Sequence, residues 1–109
     1  MKRCWIYCGT RPYVTSIERK EKIDLLYAYA IRKHYRVVEI TSEEMRLPFV
    51  QCSGALVVLK AITNHKMDVL LIEKGILDKK DITIRTLFEY AKENGVKIQE
   101  AKFKAKGEK

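Results

Sequence analysis

Apolar residues fall into two kinds of stretch along this chain. Four are short and nearly continuous: Arg3–Cys8 (RCWIYC), Tyr35–Ile40 (YRVVEI), Asp68–Ile72 (DVLLI) and Val96–Ala101. Their length and content predict strands, and the run at Asp68–Ile72 suits a central strand covered on both faces. Three longer stretches place apolar residues three and four positions apart, the spacing of a helix face. The first predicted helix begins near Ser16 and runs to about Lys33, with Ile23, Leu26, Tyr27, Ala30 and Ile31 inward and Glu18, Arg19, Lys22 and Arg32 on solvated faces. Thr15 to Glu18 has the form of a capping box at its start. The second follows Ser53, read as its cap, to about Asn64, with Leu56, Leu59 and Ile62 inward. The third follows Asp81 as cap, with Ile84, Leu87, Phe88 and Ala91 inward, and stops at Asn94-Gly95. Thr41–Gln51, polar and carrying Pro48, reads as a loop, as does Glu73–Lys80 with Gly75.

Strand and helix therefore alternate, β-α-β-α-β-α-β. Right-handed crossovers turn this order into a single three-layer α/β domain, a parallel four-stranded sheet with helices on both faces. The expected strand order is 2-1-3-4, the flavodoxin-like winding. Its switch point lies between strands one and three, where the loops Gly9–Thr15 and Glu73–Lys80 are expected to meet beside the start of the first helix. Residues 1–101 make up the domain. Lys102 to Lys109 (KFKAKGEK) is expected to be a basic flexible tail.

Charge adds a partner to this picture. The chain has 109 residues and a formal net charge of +8, which favours nucleic acid or another acidic surface. With 47% hydrophobic and 33% charged residues it has the make-up of a folded globular domain. Cys4 and Cys8 lie on one strand, about 13 Å apart along an extended chain, too far for a disulfide. With Cys52 they read as reduced core thiols of a cytoplasmic protein. His34 and His65 stand outside any ligand pattern, so neither a metal nor a cofactor is expected. No signal peptide or membrane span is visible.

The order of segments resembles the catalytic domain of serine site-specific recombinases, the resolvase and invertase family. WIYC and the following turn are similar to that family's opening strand, Tyr-x-Arg-x-Ser. IDLLYAYAIRKHYRVVEI resembles its first helix and second strand, ALVVLKAITNHKMDVLLIEK its second helix and Asp-Val strand, and FEYAKENGVKIQ its later helix and fourth strand. The likeness covers residues 3–101. It implies a resolvase-like fold, DNA as substrate, and oligomers working together. In that family a serine attacks a phosphodiester while arginines hold the phosphate charge.

Carried over residue by residue, the chemistry thins out. Tyr7 matches the tyrosine. Gly9 stands at the arginine position and Arg11 at the nucleophilic serine. Where the family reads Asp-Arg-Leu-x-Arg after the third strand, this chain reads Lys74-Gly75-Ile76-Leu77-Asp78-Lys79-Lys80, with only Lys80 near the last arginine. The acidic residue after the second strand is missing in this reading; Ser42 is nearest in register, with Glu43 beside it. Arg46 is the candidate for the arginine before the second helix. Ser16 and Ser53 read as helix caps.

Three functions follow. The first is a catalytically silent recombinase-like module that binds DNA or a recombinase, with Arg11, Lys74, Lys79 and Lys80 as phosphate contacts and a homodimer or recombinase subunit as protein partner. Tyr13 in the same loop is read as packing locally rather than on a base. The second is an active strand-exchange or nicking enzyme in which Thr10 replaces the serine. The third is an unrelated flavodoxin-like signalling or nucleotide-binding module. Against the third, strand one ends in Cys8-Gly9 with no carboxylate cluster, and Gly9–Thr15 is poor in the Gly, Ser and Thr of a phosphate loop.

Overall fold

The computed structural model describes residues 1–103, so most of the expected tail lies outside the described residues. Its elements are β1 (Arg3–Thr10), α1 (Ser16–Arg32), β2 (Arg36–Glu44), a 3₁₀ turn (Phe49–Gln51), α2 (Ser53–Thr63), β3 (Val69–Glu73), α3 (Ile82–Glu93) and β4 (Lys97–Ala101). The strands form one parallel sheet of order β2-β1-β3-β4, as the alternation predicts.

Successive side chains of a strand point to opposite faces, and β1 divides the core accordingly. Cys4, Ile6 and Cys8 pack with Val69 and Leu71 under Leu26 and Ala30 of α1. Tyr7 packs with Leu70 and Ile72 under α2 and α3, through Ala55, Val58, Ile62, Ile84, Leu87 and Ala91. Phe103 still packs against the α1 side of the core.

Each helix closes the same way. His34 N–H donates to Ile31 and Tyr35 N–H to Ala30; His65 and Lys66 repeat this on Ile62 and Ala61, and Gly95 and Val96 on Lys92 and Ala91. These paired bonds are Schellman closures, whose first residue past the cap takes a left-handed backbone. His34 (φ 60°), His65 (φ 54°) and Gly95 (φ 75°) hold that position. The two lone histidines therefore end helices and turn the chain toward the next strand.

Several expectations need correction. β1 continues through Gly9 and Thr10, and β2 through Thr41–Glu44, because the two strands pair as far as Gly9 with Glu43 and Thr10 with Glu44. β2 is an edge strand, so its outer face needs no apolar alternation and the polar run Ser42–Glu44 extends it. Tyr27 (45% exposed), Ile31 (50%) and Leu56 (54%) face outward, since the narrow sheet covers only the central stripe of each helix. Ser53 is the first helical residue of α2 and not its cap; Cys52 holds the cap position without a side-chain bond to the helix. Thr15 and Asp81 do cap α1 and α3, accepting from Glu18 N–H at 3.1 Å and Thr83 N–H at 2.8 Å.

At the amino ends of the strands Arg3 clasps Asp68. Its main-chain N–H donates to Oδ2 at 2.8 Å and its guanidinium to both oxygens at 3.2 and 3.3 Å. Hydrogen bonds from the Arg3 side chain and then its backbone hold the Asp68 carboxyl below its ordinary range. A depressed folded-state pKa stabilises the protein above the unfolded value, near pH 4, and that stabilisation is lost as pH falls through the folded value. Asp68→Asn is therefore expected to lower the urea midpoint at pH 7 while leaving it close to that of the unsubstituted chain at pH 2. An equal loss at both values would contradict this account.

Candidate functional site at the carboxyl ends of the strands

Because every strand is parallel, all four carboxyl ends open on one side, and three loops meet there: Arg11–Val14, Met45–Pro48 and Lys74–Asp81. Tyr7, on the α2 face of β1, directs its hydroxyl across to β2 and donates to Glu43 Oε2 at 2.5 Å. Its ring meets Phe49 edge-on at 5.1 Å. Burial first, and then the bond to Glu43, push the Tyr7 phenol far above its ordinary pKa. The same carboxylate accepts from the first turn of α2, Gly54 N–H at 2.8 Å and Ala55 N–H at 3.0 Å. A carboxylate at a helix N-terminus satisfies orphan donors and opposes the positive end of the helix dipole. Gly54 admits this approach: a Cβ there would lie 2.6 Å from Glu43 Oε2.

Glu43 is thus the acidic group at the end of the second strand that the sequence reading missed, and Ser42 is an exposed neighbour on the opposite face. The signal was present in the alternation. Thr41 accepts from Trp5 Nε1 at 2.9 Å, and Glu43, two residues on, shares its face.

Gly9, which the resemblance sets at the family's arginine, has little room for a side chain unless Met45 moves. A Cβ would meet Met45 Sδ at 2.4 Å and Tyr7 Cε2 at 2.8 Å. The Met45 thioether fills that space because its N–H is fixed to Thr10 O at 2.7 Å. Thr10 lies within β1 and is 2% exposed. Its hydroxyl donates to Glu43 O at 3.4 Å. Arg11 is the first exposed residue beyond the strand.

On the α1 side the charges pair among themselves. Lys22 Nζ contacts both oxygens of Glu73 at 2.9 and 3.1 Å. Glu44 takes Arg19 at 3.2 Å and Arg46 at 2.7 Å. Arg46, the expected arginine before α2, is therefore held outward by Glu44. Among the described residues Arg19 Nε is buried without a hydrogen-bond partner. Burial pushes the Cys8 thiol up to about 11, with Glu73 adding to the shift and Lys22 and Arg19 opposing it. That value keeps it a thiol and a poor nucleophile at neutral pH.

Two clefts open here. One, of about 470 Å³, runs between Gly9–Arg11, Lys22 and Glu73–Ile76. The other, of about 370 Å³, lies between Arg11, the Met45–Phe49 segment and Gly75–Asp78. Of the four basic residues expected together, Arg11 and Lys74 share the first cleft. Lys79 turns away, paired with Glu100 on β4 and lying 5.6 Å over the Phe88 ring. Lys80 lines neither cleft; its N–H donates to Asp78 Oδ1 at 2.9 Å. Asp78 and Asp81 occupy the wall of the second cleft instead. Among the described residues no cluster of His, Cys, Asp and Glu could hold a metal ion, and no helix is long and apolar enough to cross a membrane.

The fold and this strand-end site can be set beside solved structures. The catalytic domain of ISC1926 TnpA, described as an IS607-like serine recombinase, superposes with a TM-score of 0.80 and 27% identity, covering 94% of this chain and 71% of that one. The chain resembles the catalytic domains of serine recombinases. The N-terminal catalytic domain of TP901-1 integrase shares the fold, with a TM-score of 0.74 and 17% identity over 91% of this chain and 76% of that one. So does the first open reading frame of transposon ISC1904 from Sulfolobus solfataricus P2, with a TM-score of 0.68 and 14% identity over 100% of this chain and 73% of that one. No protein-family model and no curated protein matches the chain. The resemblance would set Tyr7 on the family's tyrosine, Gly9 on its arginine and Arg11 on its serine.

Glu43→Ala would leave Tyr7 and two α2 N–H groups without their charged acceptor, a loss of about 2–3 kcal/mol in urea unfolding. Tyr7→Phe, which leaves both helix bonds in place, is expected to cost about 1 kcal/mol. Gly9→Arg is expected to cost about 1–3 kcal/mol by overpacking, with part recovered in the double variant carrying Met45→Ala. Equal losses for Glu43→Ala and Tyr7→Phe would show that the carboxylate does not hold α2.

Proposed function

We propose that this chain is a recombination-associated module of the serine-recombinase fold that binds DNA at the carboxyl ends of its strands and performs no strand cleavage. One observation carries the reading. At the position where the family keeps a serine beside an arginine, this chain has an exposed Arg11 beside a Gly9 whose side-chain space Met45 already fills. Thr10, the hydroxyl nearest in sequence, is 2% exposed and donates to Glu43 O. An attacking oxygen must reach an incoming phosphate in line and pass its proton to a base, and this placement supports neither. Losing the nucleophile costs orders of magnitude in rate.

Binding is a different matter. Arg11 and Lys74 flank one cleft, and neither holds an ion pair among the described residues. The net charge of +8 draws polyanions toward the surface. In this reading the domain is residues 1–101 and works in the reducing cytoplasm, its three cysteines being free and buried. Its protein partner is a second copy or a recombinase subunit, and the exposed Leu47, Leu56 and Val57 around α2 support such a contact.

Fluorescence anisotropy with labelled duplex DNA tests the reading. Affinity is expected to fall steeply with salt, with a slope of about −0.9 per neutralised phosphate. Arg11→Ala and Lys74→Ala are each expected to flatten that slope by about one unit, whereas Lys79→Ala leaves it nearly unchanged. Failure to bind at low salt would overturn the DNA reading. A covalent protein–DNA adduct on a denaturing gel would overturn the silent one.

A further inference from the structure

Tyr13 packs locally against Arg46 on one face but is not buried. It is 86% exposed. Its backbone is left-handed, with φ 68°, a conformation costly for a bulky side chain and found where the surrounding structure imposes it. The consequence is positional. Tyr13 sits between Pro12, which lines one strand-end cleft, and Val14, which lines the other, so the ring stands on the ridge that separates them. It is also braced from one side. The Arg46 guanidinium lies 5.1 Å from the ring centroid. Glu44 grips Arg46 at 2.7 Å and is itself bound by Arg19 of α1 at 3.2 Å. A chain of charges rooted in a helix thus fixes a cation against one face of an aromatic ring whose remaining surface is open to solvent.

We infer that the open face of Tyr13 stacks on an unpaired nucleic-acid base while Arg11, two residues earlier, takes an adjoining phosphate. This rests on the DNA reading above and adds to it a contact with a base. Three features favour a base over other flat groups. Every base has a π-face, so stacking on a ring needs no particular sequence. The ring is already held by Arg46, so little side-chain freedom remains to be lost on binding. The neighbouring free cations, Arg11 and Lys74, suit the phosphates that flank a base and not an uncharged peptide. Base–aromatic stacking is worth about ten- to a hundred-fold in affinity.

The test uses three labelled hairpin duplexes in the anisotropy measurement: one with a single unpaired thymine, one with an abasic unit at the same place, and one fully paired. The full chain is expected to bind the unpaired thymine at least about tenfold more tightly than the abasic unit. Tyr13→Asn keeps a residue that accepts a left-handed backbone but removes the ring. With it the two affinities are expected to converge while the salt slope stays the same. Tyr13→Trp is expected to preserve or widen the difference. Arg11→Ala is expected to weaken all three duplexes alike. Equal binding of the thymine and abasic duplexes by the unsubstituted chain overturns the inference and leaves the DNA reading standing, as does discrimination that survives Tyr13→Asn. Absence of binding to all three overturns both. Thermal unfolding followed by circular dichroism is expected to be unchanged by Tyr13→Trp and unchanged or slightly raised by Tyr13→Asn, which suits the left-handed backbone, because the side chain packs on nothing buried.

Discussion

The carboxylate of Glu43 receives three donors from two distant parts of the chain: the phenol of Tyr7 on β1 and the N–H groups of Gly54 and Ala55 at the start of α2. Much of the strand-end geometry follows from that meeting. A charged acceptor with this many donors is strong and poorly replaced by water or by a neutral group. It fixes the distance between β2 and α2, which is why position 54 can only be glycine without displacing the carboxylate. It locks the Tyr7 ring onto Phe49. Alongside it, the backbone bond from Met45 to Thr10 turns the chain out of β2 and lays the methionine over Gly9. The space beside Gly9 is therefore taken up by the packing of Met45 and Tyr7.

The two sides of the sheet handle charge differently. On the α1 side three cations near the strand ends are matched: Lys22 with Glu73, Arg19 and Arg46 with Glu44. These half-buried pairs add little net stability, since each charge gives up hydration to form them. Their larger effect is directional, because they remove those cations from any ligand. Among the described residues Arg11 and Lys74, on the two loops that the strand order brings together, hold no ion pair at the cleft. A surface whose inner cations are neutralised and whose outer ones are not suits a ligand that approaches along the rim.

Sheet order, helix limits and two of the three helix caps were legible in the sequence, because each depends on local period and on Thr15 or Asp81 lying just ahead of an apolar face. Less legible was whatever depended on distant contacts. Ser42–Glu44 reads as loop because it is polar, yet pairing with β1 makes it strand and aims Glu43 inward. Leu56, Tyr27 and Ile31 read as core because they are apolar, yet the sheet is too narrow to cover them. Lys79 reads as a cleft cation, yet Glu100, twenty-one residues later, takes it to the far edge of the sheet.

The most direct test of the central claim, that a nucleic acid engages the rim between the loops after β1 and β3, is a ¹⁵N–¹H correlation spectrum recorded during titration with a short DNA duplex. The account predicts shifts concentrated at Arg11, Tyr13 and Val14 and at Lys74–Ile76, with α3 and the amino ends of the strands nearly still. Shifts centred on the outer face of α2 or on the β2 edge, with that rim unmoved, would contradict it.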